Sequence, residues 1–297
     1  MKDQEIRLGA LQLSAQLLGA NPKIKDILET SDTLLSYING ASVSDIVKEN
    51  YKITETDLIE LKKCIADPIY FIENYVKIQH PTKGDIPFNL HIYQKYMIGT
   101  IHTHNDVIIN ASRQIGKSAT IGAYLLWNAI FNTDQTILVI SSRFASALEI
   151  ADRIRFMFDN LPHFLKPGIK AYNKGCLEFA NGSRILFRGA SGDAGRGLAV
   201  SLIYLDEFAY ISNKIAYEVW TALQPALSTG GKCIIASSPS IDSGPFYEIF
   251  TGQNRFIKMT FPYNVIPDRD DAWEANQRAG LGDDIFEREY NCIFKKS

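Results

Sequence analysis

Gly116-Lys117-Ser118 and the carboxylate pair Asp206-Glu207 are the residues of this chain best suited to act together on a phosphate. An apolar run, Val107-Ile108-Ile109, and a short polar turn, Asn110 to Ile115, precede the first motif. A helical pattern from Ala119 to Phe131 follows it. Strand, loop and helix in that order make a phosphate-binding loop. Its backbone N–H groups and the helix N-terminus face phosphates, its lysine reaches the β/γ-phosphates, and its hydroxyl serves Mg²⁺. Ala111 stands where the usual pattern opens with Gly. The second motif ends an apolar strand, Ser201-Leu202-Ile203-Tyr204-Leu205. There the first carboxylate supports the metal and the second orients and deprotonates an attacking water. Each motif alone has a plainer reading, as a strand-to-helix turn or as a strand before a charged cap. The two together, with a strand and a helix between them, predict nucleoside triphosphate hydrolysis.

Other candidates carry less. Gln94 lies just ahead of the loop, and its amide offers the donor and acceptor that the polar edges of adenine require. The strand Lys232 to Pro239 ends in hydroxyls, those of Ser237-Ser238. Arg196 sits in a glycine-rich stretch, Gly189 to Gly197, which leads into a strand rather than a helix and so reads as a mobile loop. Asp268, Asp270 and Asp271 read as helix-capping and solvated residues rather than a metal site. His102 and His104, with no acidic or Cys partner nearby, read as surface residues.

The totals bound the class. The 297 residues allow one large or two modest domains, and 46% hydrophobic with 22% charged residues fits a globular core. The net charge of −2 gives no global basic surface, so any nucleic-acid contact must come from local patches such as Arg184, Arg188 and Arg196. No apolar run has the length of a membrane span, and the N-terminus lacks a signal-peptide core. The widely spaced Cys64, Cys176, Cys233 and Cys292 fit free thiols in a reducing compartment.

Positioning the two motifs requires a sheet. Residues 1–66 read as a helical appendage, with a helix beginning at Thr54-Glu55-Thr56-Asp57. Pro68 to Val76 is a short helix, followed by a loop through Pro81, Gly84 and Pro87. A buried strand at Thr136 to Ser142 and a helix at Arg143 to Leu161 come next. Asn181-Gly182 then turns a hairpin between Cys176–Phe179 and Arg184–Phe187. Helix, strand, helix and strand follow at 213–228, 232–239, 244–250 and 256–261, and Cys292-Ile293-Phe294 begins a last strand. The alternation predicts an α/β fold with a mostly parallel sheet flanked by helices. Lys117, Asp206-Glu207 and Ser237-Ser238 would then meet at the carboxyl ends of its strands.

Gln94, Ser112-Arg113-Gln114-Ile115-Gly116-Lys117-Ser118, Ile203-Tyr204-Leu205-Asp206-Glu207 and Ser237-Ser238-Pro239 together resemble a family. It is the ATPase domain of the large terminase subunit of tailed bacteriophages, of the T4-like type, and the resemblance covers about residues 68–294. It implies a P-loop NTPase fold of the ASCE type over residues 67–297, with room for a small lid subdomain. It implies Mg²⁺-dependent ATP hydrolysis that drives double-stranded DNA into a procapsid in the host cytoplasm. Implied partners are DNA, the portal protein, the small terminase subunit and further copies in a ring, expected to be a pentamer. The loop residues Ser112 to Ser118 and Gln94 would bind nucleotide, with Gln94 on adenine. Arg113 would serve the γ-phosphate in cis, and Lys117 the β/γ-phosphates. Ser118 and Asp206 would hold Mg²⁺, Glu207 would activate water, Ser237 and Ser238 would couple hydrolysis to movement, and Arg196 would touch phosphate or DNA. Family members also carry a C-terminal nuclease domain, for which the residues after Glu207 leave little room, so no nuclease activity is expected of this chain. A helicase-like remodeller and a nucleotide-gated assembly protein with little turnover are the competing expectations.

Overall fold

The computed structural model describes residues 54–80, 82–228 and 230–294. Most of the expected helical appendage, residues 1–53, lies outside the described residues.

Helix α1, Glu55–Ala66, starts at a capping box in which Thr54 and Asp57 each bond the other's backbone. Pro68 opens α2, Pro68–Tyr75, behind Asp67 as N-cap. Leu61 and Cys64 are buried in the main core, and Trp127 Nε1 donates to the Cys64 carbonyl at 2.7 Å. The stretch through Pro81, read above as a loop, instead holds a hairpin, β1 (Lys77–His80) antiparallel to β2 (Gly84–Pro87). Its sides are too exposed for the apolar alternation that would have announced it.

The chain then alternates: α3 (Ile92–Thr103), β3 (Asp106–Ala111), α4 (Lys117–Phe131), β4 (Thr136–Ser141) and α5 (Phe144–Asp159). Next come β5 (Ile169–Asn173), β6 (Cys176–Phe179), β7 (Arg184–Gly189) and β8 (Leu202–Asp206). Last are α6 (Asn213–Ser228), β9 (Lys232–Ser237), α7 (Pro245–Thr251), β10 (Ile257–Phe261), α8 (Asp271–Leu281) and α9 (Asp283–Glu289). The main sheet runs β10-β3-β9-β8-β4-β7-β6-β5. Its strands from β10 to β7 are parallel, and β6 pairs antiparallel with both β7 and β5. This is the α/β arrangement expected from the motif order, with β9 inserted between the loop strand β3 and the carboxylate strand β8.

Strand periodicity decides which helices cover which face. Val107 and Ile109, Ile137 and Val139, Leu202 and Tyr204, and Ile234 and Ala236 point into one core with α2 to α5. The alternate residues, Ile108, Leu138 and Ile140, Ile203 and Leu205, and Cys233 and Ile235, point into a second core with α6 and α7. Both faces are therefore covered, which is why the central strands read as continuous apolar runs. Asp206 continues the first series and emerges on the side of α4.

Asn181 turns the β6–β7 hairpin as expected, and its amide also caps the far end of α4, donating to the carbonyls of Ala129, Ile130 and Asn132. The last strand expected, Cys292 to Phe294, does not form. Cys292 adopts a left-handed φ of 61°. Its thiol donates to Phe261 O, and Phe294 packs on Phe246, Tyr247 and Phe250, so side-chain contacts replace a ladder. Among the described residues no helix is long and apolar enough to cross a membrane.

Candidate active site

The loop between β3 and α4 is shaped by its backbone. Gln114 and Gly116 are left-handed, with φ of 57° and 77°. Glycine is required at 116, because that φ is strained for other residues and a Cβ there would meet Gln94 Nε2 at 3.0 Å. Ala111, at the position where glycine usually opens the motif, is still a strand residue paired with Phe261, so no glycine is needed there. Helix α4 begins at Gly116 with no capping side chain and no acid in its first turn. Its first N–H groups are left without intrahelical partners, which favours an anion in front of them.

The catalytic candidates converge at the carboxyl ends of β3, β8 and β9. Lys117 Nζ lies 2.5 Å from Glu207 Oε1. Ser118 Oγ donates to Asp206 Oδ1 at 3.1 Å, and Ser237 Oγ donates to Glu207 Oε2 at 3.3 Å. Glu207 sits at a left-handed φ of 50°, a strained position that turns its carboxylate out of the strand direction. Asp206 is buried, and burial pushes its carboxyl above the ordinary value despite Lys117 and the hydroxyls that bond it. One of those hydroxyls belongs to Tyr204, two residues earlier on the same face of β8 and fully buried, which donates to Asp206 Oδ1.

A cavity of about 480 Å³ opens beside this cluster. Gln114 to Ala119 and Glu207 line it, together with Ile78 and Gln79 of the hairpin and Arg153, Phe156 and Met157 of α5. Gln94 does not line that cavity. It is buried beneath the loop, where its Oε1 accepts from His91 N at 2.9 Å and its Nε2 lies 3.5 Å from the Ile115 carbonyl. Ile115 is buried, and Tyr93 also bonds its carbonyl, at 2.6 Å.

Arg113 is turned to a different partner. Its Nε lies 2.6 Å from Glu289 Oε2, and its guanidinium stands 5.9 Å from the Tyr210 ring. Burial works against its charge, but Glu289, Tyr210 and Glu207 more than offset it and raise its pKa. Ser238 joins the same group, 3.2 Å from Tyr210 OH. Ser112 is buried, with its N–H on Phe261 O at 2.8 Å. Arg269 closes the loop from outside, donating to the carbonyls of Arg113 and Gln114 while stacked on Trp273. Arg196 lies apart, exposed and paired with Asp193 of its own loop at 3.5 Å.

The donor set fits Mg²⁺. A hydroxyl and a carboxylate, both hard oxygen donors, lie side by side at Ser118 and Asp206. Ser141, in register with Asp206, has a buried hydroxyl without a partner among the described residues, which leaves an oxygen for a bound water. No cluster of three or more His, Cys, Asp or Glu suited to a metal occurs among the described residues. Mg²⁺ does not require one, since it is commonly held by one or two carboxylates with substrate phosphates and waters. Sequence reasoning missed Tyr204, Tyr210, Arg269 and Glu289. Only Tyr204 carried a signal, its spacing of two from Asp206 on a strand.

Comparison with known proteins shows the family and agrees with the fold. The family described as terminase large subunit, T4likevirus-type, N-terminal, matches residues 108–297. The large terminase ATPase domain of Thermus phage P74-26 superposes with a TM-score of 0.54 at 22% identity, covering 70% of this chain and 94% of that one. The large terminase of bacteriophage HK97 gives 0.59 at 14%, covering 78% of this chain and 55% of that one. The large terminase of another phage, a thermophilic bacteriophage, solved with ADP, gives 0.56 at 12%, covering 70% and 54%. The match thus spans just over half the length of the latter two proteins.

Proposed function

This chain belongs to the family described as terminase large subunit, T4likevirus-type, N-terminal, and on that premise we propose that it hydrolyses ATP to move double-stranded viral DNA into a procapsid. The observation that carries the ATPase reading is the meeting of Lys117, Ser118, Asp206, Glu207 and Ser237 beneath an uncapped helix N-terminus. Structures of the thermophilic bacteriophage's large terminase with ADP and with ATP-gamma-S support a nucleotide as the ligand.

The chemistry follows from charge. The ammonium of Lys117 is neutralised by Glu207. A triphosphate entering the loop offers Lys117 a stronger anion, and Glu207 is thereby freed. The released carboxylate, steered by Ser237, orients a water towards the γ-phosphate and takes its proton. Ser118 and Asp206 would hold Mg²⁺, which would supply positive charge against the charge developing on the phosphates. Arg113 would add a second positive charge at the transition state, and the loop amides would cradle the phosphates. Gln94 is assigned to the adenine side of the site, and supports the loop from below in the structure described here. Arg196, outside the cluster, is assigned to DNA or phosphate contact, and Ser237 and Ser238 to coupling.

Double-stranded DNA, portal protein, small terminase subunit and further copies in a ring, expected to be a pentamer, are the partners of this reading, in the host cytoplasm. ATPase rates measured with and without DNA, portal and small subunit test it. A large stimulation by portal and DNA, without strand separation, is expected. Unwinding of duplex DNA, or turnover indifferent to all three, would overturn the packaging assignment.

A further inference from the structure

The phosphate loop is gripped on its outer side by a residue just ahead of the C-terminal helical pair. Arg269 Nη1 donates to the Arg113 carbonyl at 3.2 Å, and Nη2 donates to the Gln114 carbonyl at 3.0 Å. The next carbonyl, that of Ile115, accepts from Tyr93 OH at 2.6 Å. Three consecutive peptides are fixed in this way, and neither Arg269 nor Tyr93 lines the cavity. In a trans peptide the carbonyl and the N–H that follows it point in opposite directions. With the carbonyls of residues 113–115 held outside, the N–H groups of Gln114, Ile115 and Gly116 are turned to the cavity that these three residues line. The backbone signs match. Gln114 and Gly116 have φ of 57° and 77°, and φ is not positive at Arg113 or Ile115. Such alternation makes a nest of N–H groups that binds anions.

A left-handed glutamine is unfavourable unless its surroundings impose it. The guanidinium on its carbonyl does so, and that guanidinium is itself fixed. It lies 4.7 Å from the Trp273 ring and 5.9 Å from the Tyr290 ring, both in the cluster with Tyr263 and Phe286, and Arg269 N donates to Ile266 O at 3.1 Å. The neighbours acting on its charge are the phenols of Tyr290 and Tyr93 rather than a carboxylate, so its donors are free for the loop. A planar fork can bridge two successive carbonyls, which a single ammonium does poorly. We propose that Arg269 is a positioning residue that pins these carbonyls and so presets the nest for the phosphate that ADP and ATP share. It acts behind the loop and touches no ligand. The inference rests on the nucleotide reading given above.

Affinities of the full chain for pyrophosphate, for Mg²⁺ with ADP and for Mg²⁺ with a non-hydrolysable ATP analogue test it, together with single-turnover hydrolysis at saturating ATP. Arg269→Ala should weaken all three ligands by about tenfold or more, and by similar factors, since one charge-assisted clamp is lost behind a shared phosphate. The rate at saturation should stay within about threefold of wild type, because the residue sets binding rather than the chemical step. Arg269→Lys keeps the charge and serves if the first variant misfolds. Lacking the fork, it should remain at least about threefold weaker than wild type. Wild-type affinity in the lysine variant would show that charge alone matters, and unmoved affinities in the alanine variant that the grip is idle. A loss confined to the ATP analogue would mean that Arg269 meets the γ-phosphate itself. Each of these overturns the proposal while leaving the ATPase reading in place. A wild type that binds pyrophosphate and nucleotide tightly but never hydrolyses ATP would overturn that reading and leave the nest standing.

Discussion

Replacing Tyr204 by Phe removes one buried oxygen and little else. The ring stays in place in the core, and what is lost is the phenol that donates to Asp206 Oδ1. A hydrogen bond to a charged group is worth about 1.5–3 kcal/mol. Asp206 is buried, and its carboxyl is already pushed above its ordinary 3.8, first by burial and next by Glu207 against the opposing pull of Lys117. Losing the phenol removes one of the contacts that hold the carboxylate ionised, leaving Ser118 at 3.1 Å. The carboxyl of Asp206 should therefore be pushed further above its ordinary value in the variant. The sign follows. Metal binding needs the ionised form, so Mg²⁺-dependent nucleotide affinity is present above the folded-state pKa and falls as pH drops through it. In Tyr204→Phe that fall should begin at higher pH than in wild type. Unfolding at neutral pH should come a few degrees earlier, since each kcal/mol is about 2–4 °C in a chain of this size. Mg²⁺–nucleotide titration calorimetry from pH 4 to 8, with thermal melts, provides the readout. Superimposable pH profiles would show that the phenol does not sustain the Asp206 charge.

Other perturbations follow from the same geometry. Arg113→Ala should lower hydrolysis by up to about 10³–10⁵-fold if its charge serves the transition state, and single-turnover assays would show it. A near-wild-type rate would remove that role. Ser118→Ala should raise the Mg²⁺ concentration needed for half-maximal turnover while nucleotide alone still binds, and an unchanged Mg²⁺ requirement would count against it. Gly182→Ala should cost about 1–3 kcal/mol in denaturant unfolding, because its φ is +85° and the new methyl would lie 2.1 Å from Asp134 Oδ1.

What the sequence made legible was local in kind. The sheet could be read because both faces are covered, so β3, β4, β8 and β9 are continuous apolar runs. Lys117, Asp206 and Glu207 could be read because a short turn or a strand end fixes each one. The hairpin of β1 and β2 was hidden because it is half exposed and carries no apolar alternation. Glu289 and Arg269 were hidden for a different reason. They reach the loop through a C-terminal helical pair anchored on Tyr263, Trp273, Phe286 and Tyr290, and nothing in their own neighbourhood in the chain points to a phosphate site. Gln94 was visible, but its placement beneath the loop rather than on the cavity wall depends on packing that spacing does not encode.

The central claim is that Glu207 activates water over a phosphate held by Lys117, and Glu207→Gln tests it most directly. ATP binding and single-turnover hydrolysis should be measured together, with Mg²⁺ present. The variant should bind ATP at least as tightly as wild type, since Lys117 is no longer neutralised at 2.5 Å. Its hydrolysis should fall by about 10²–10⁴-fold. Turnover close to wild type, with binding intact, would contradict the account.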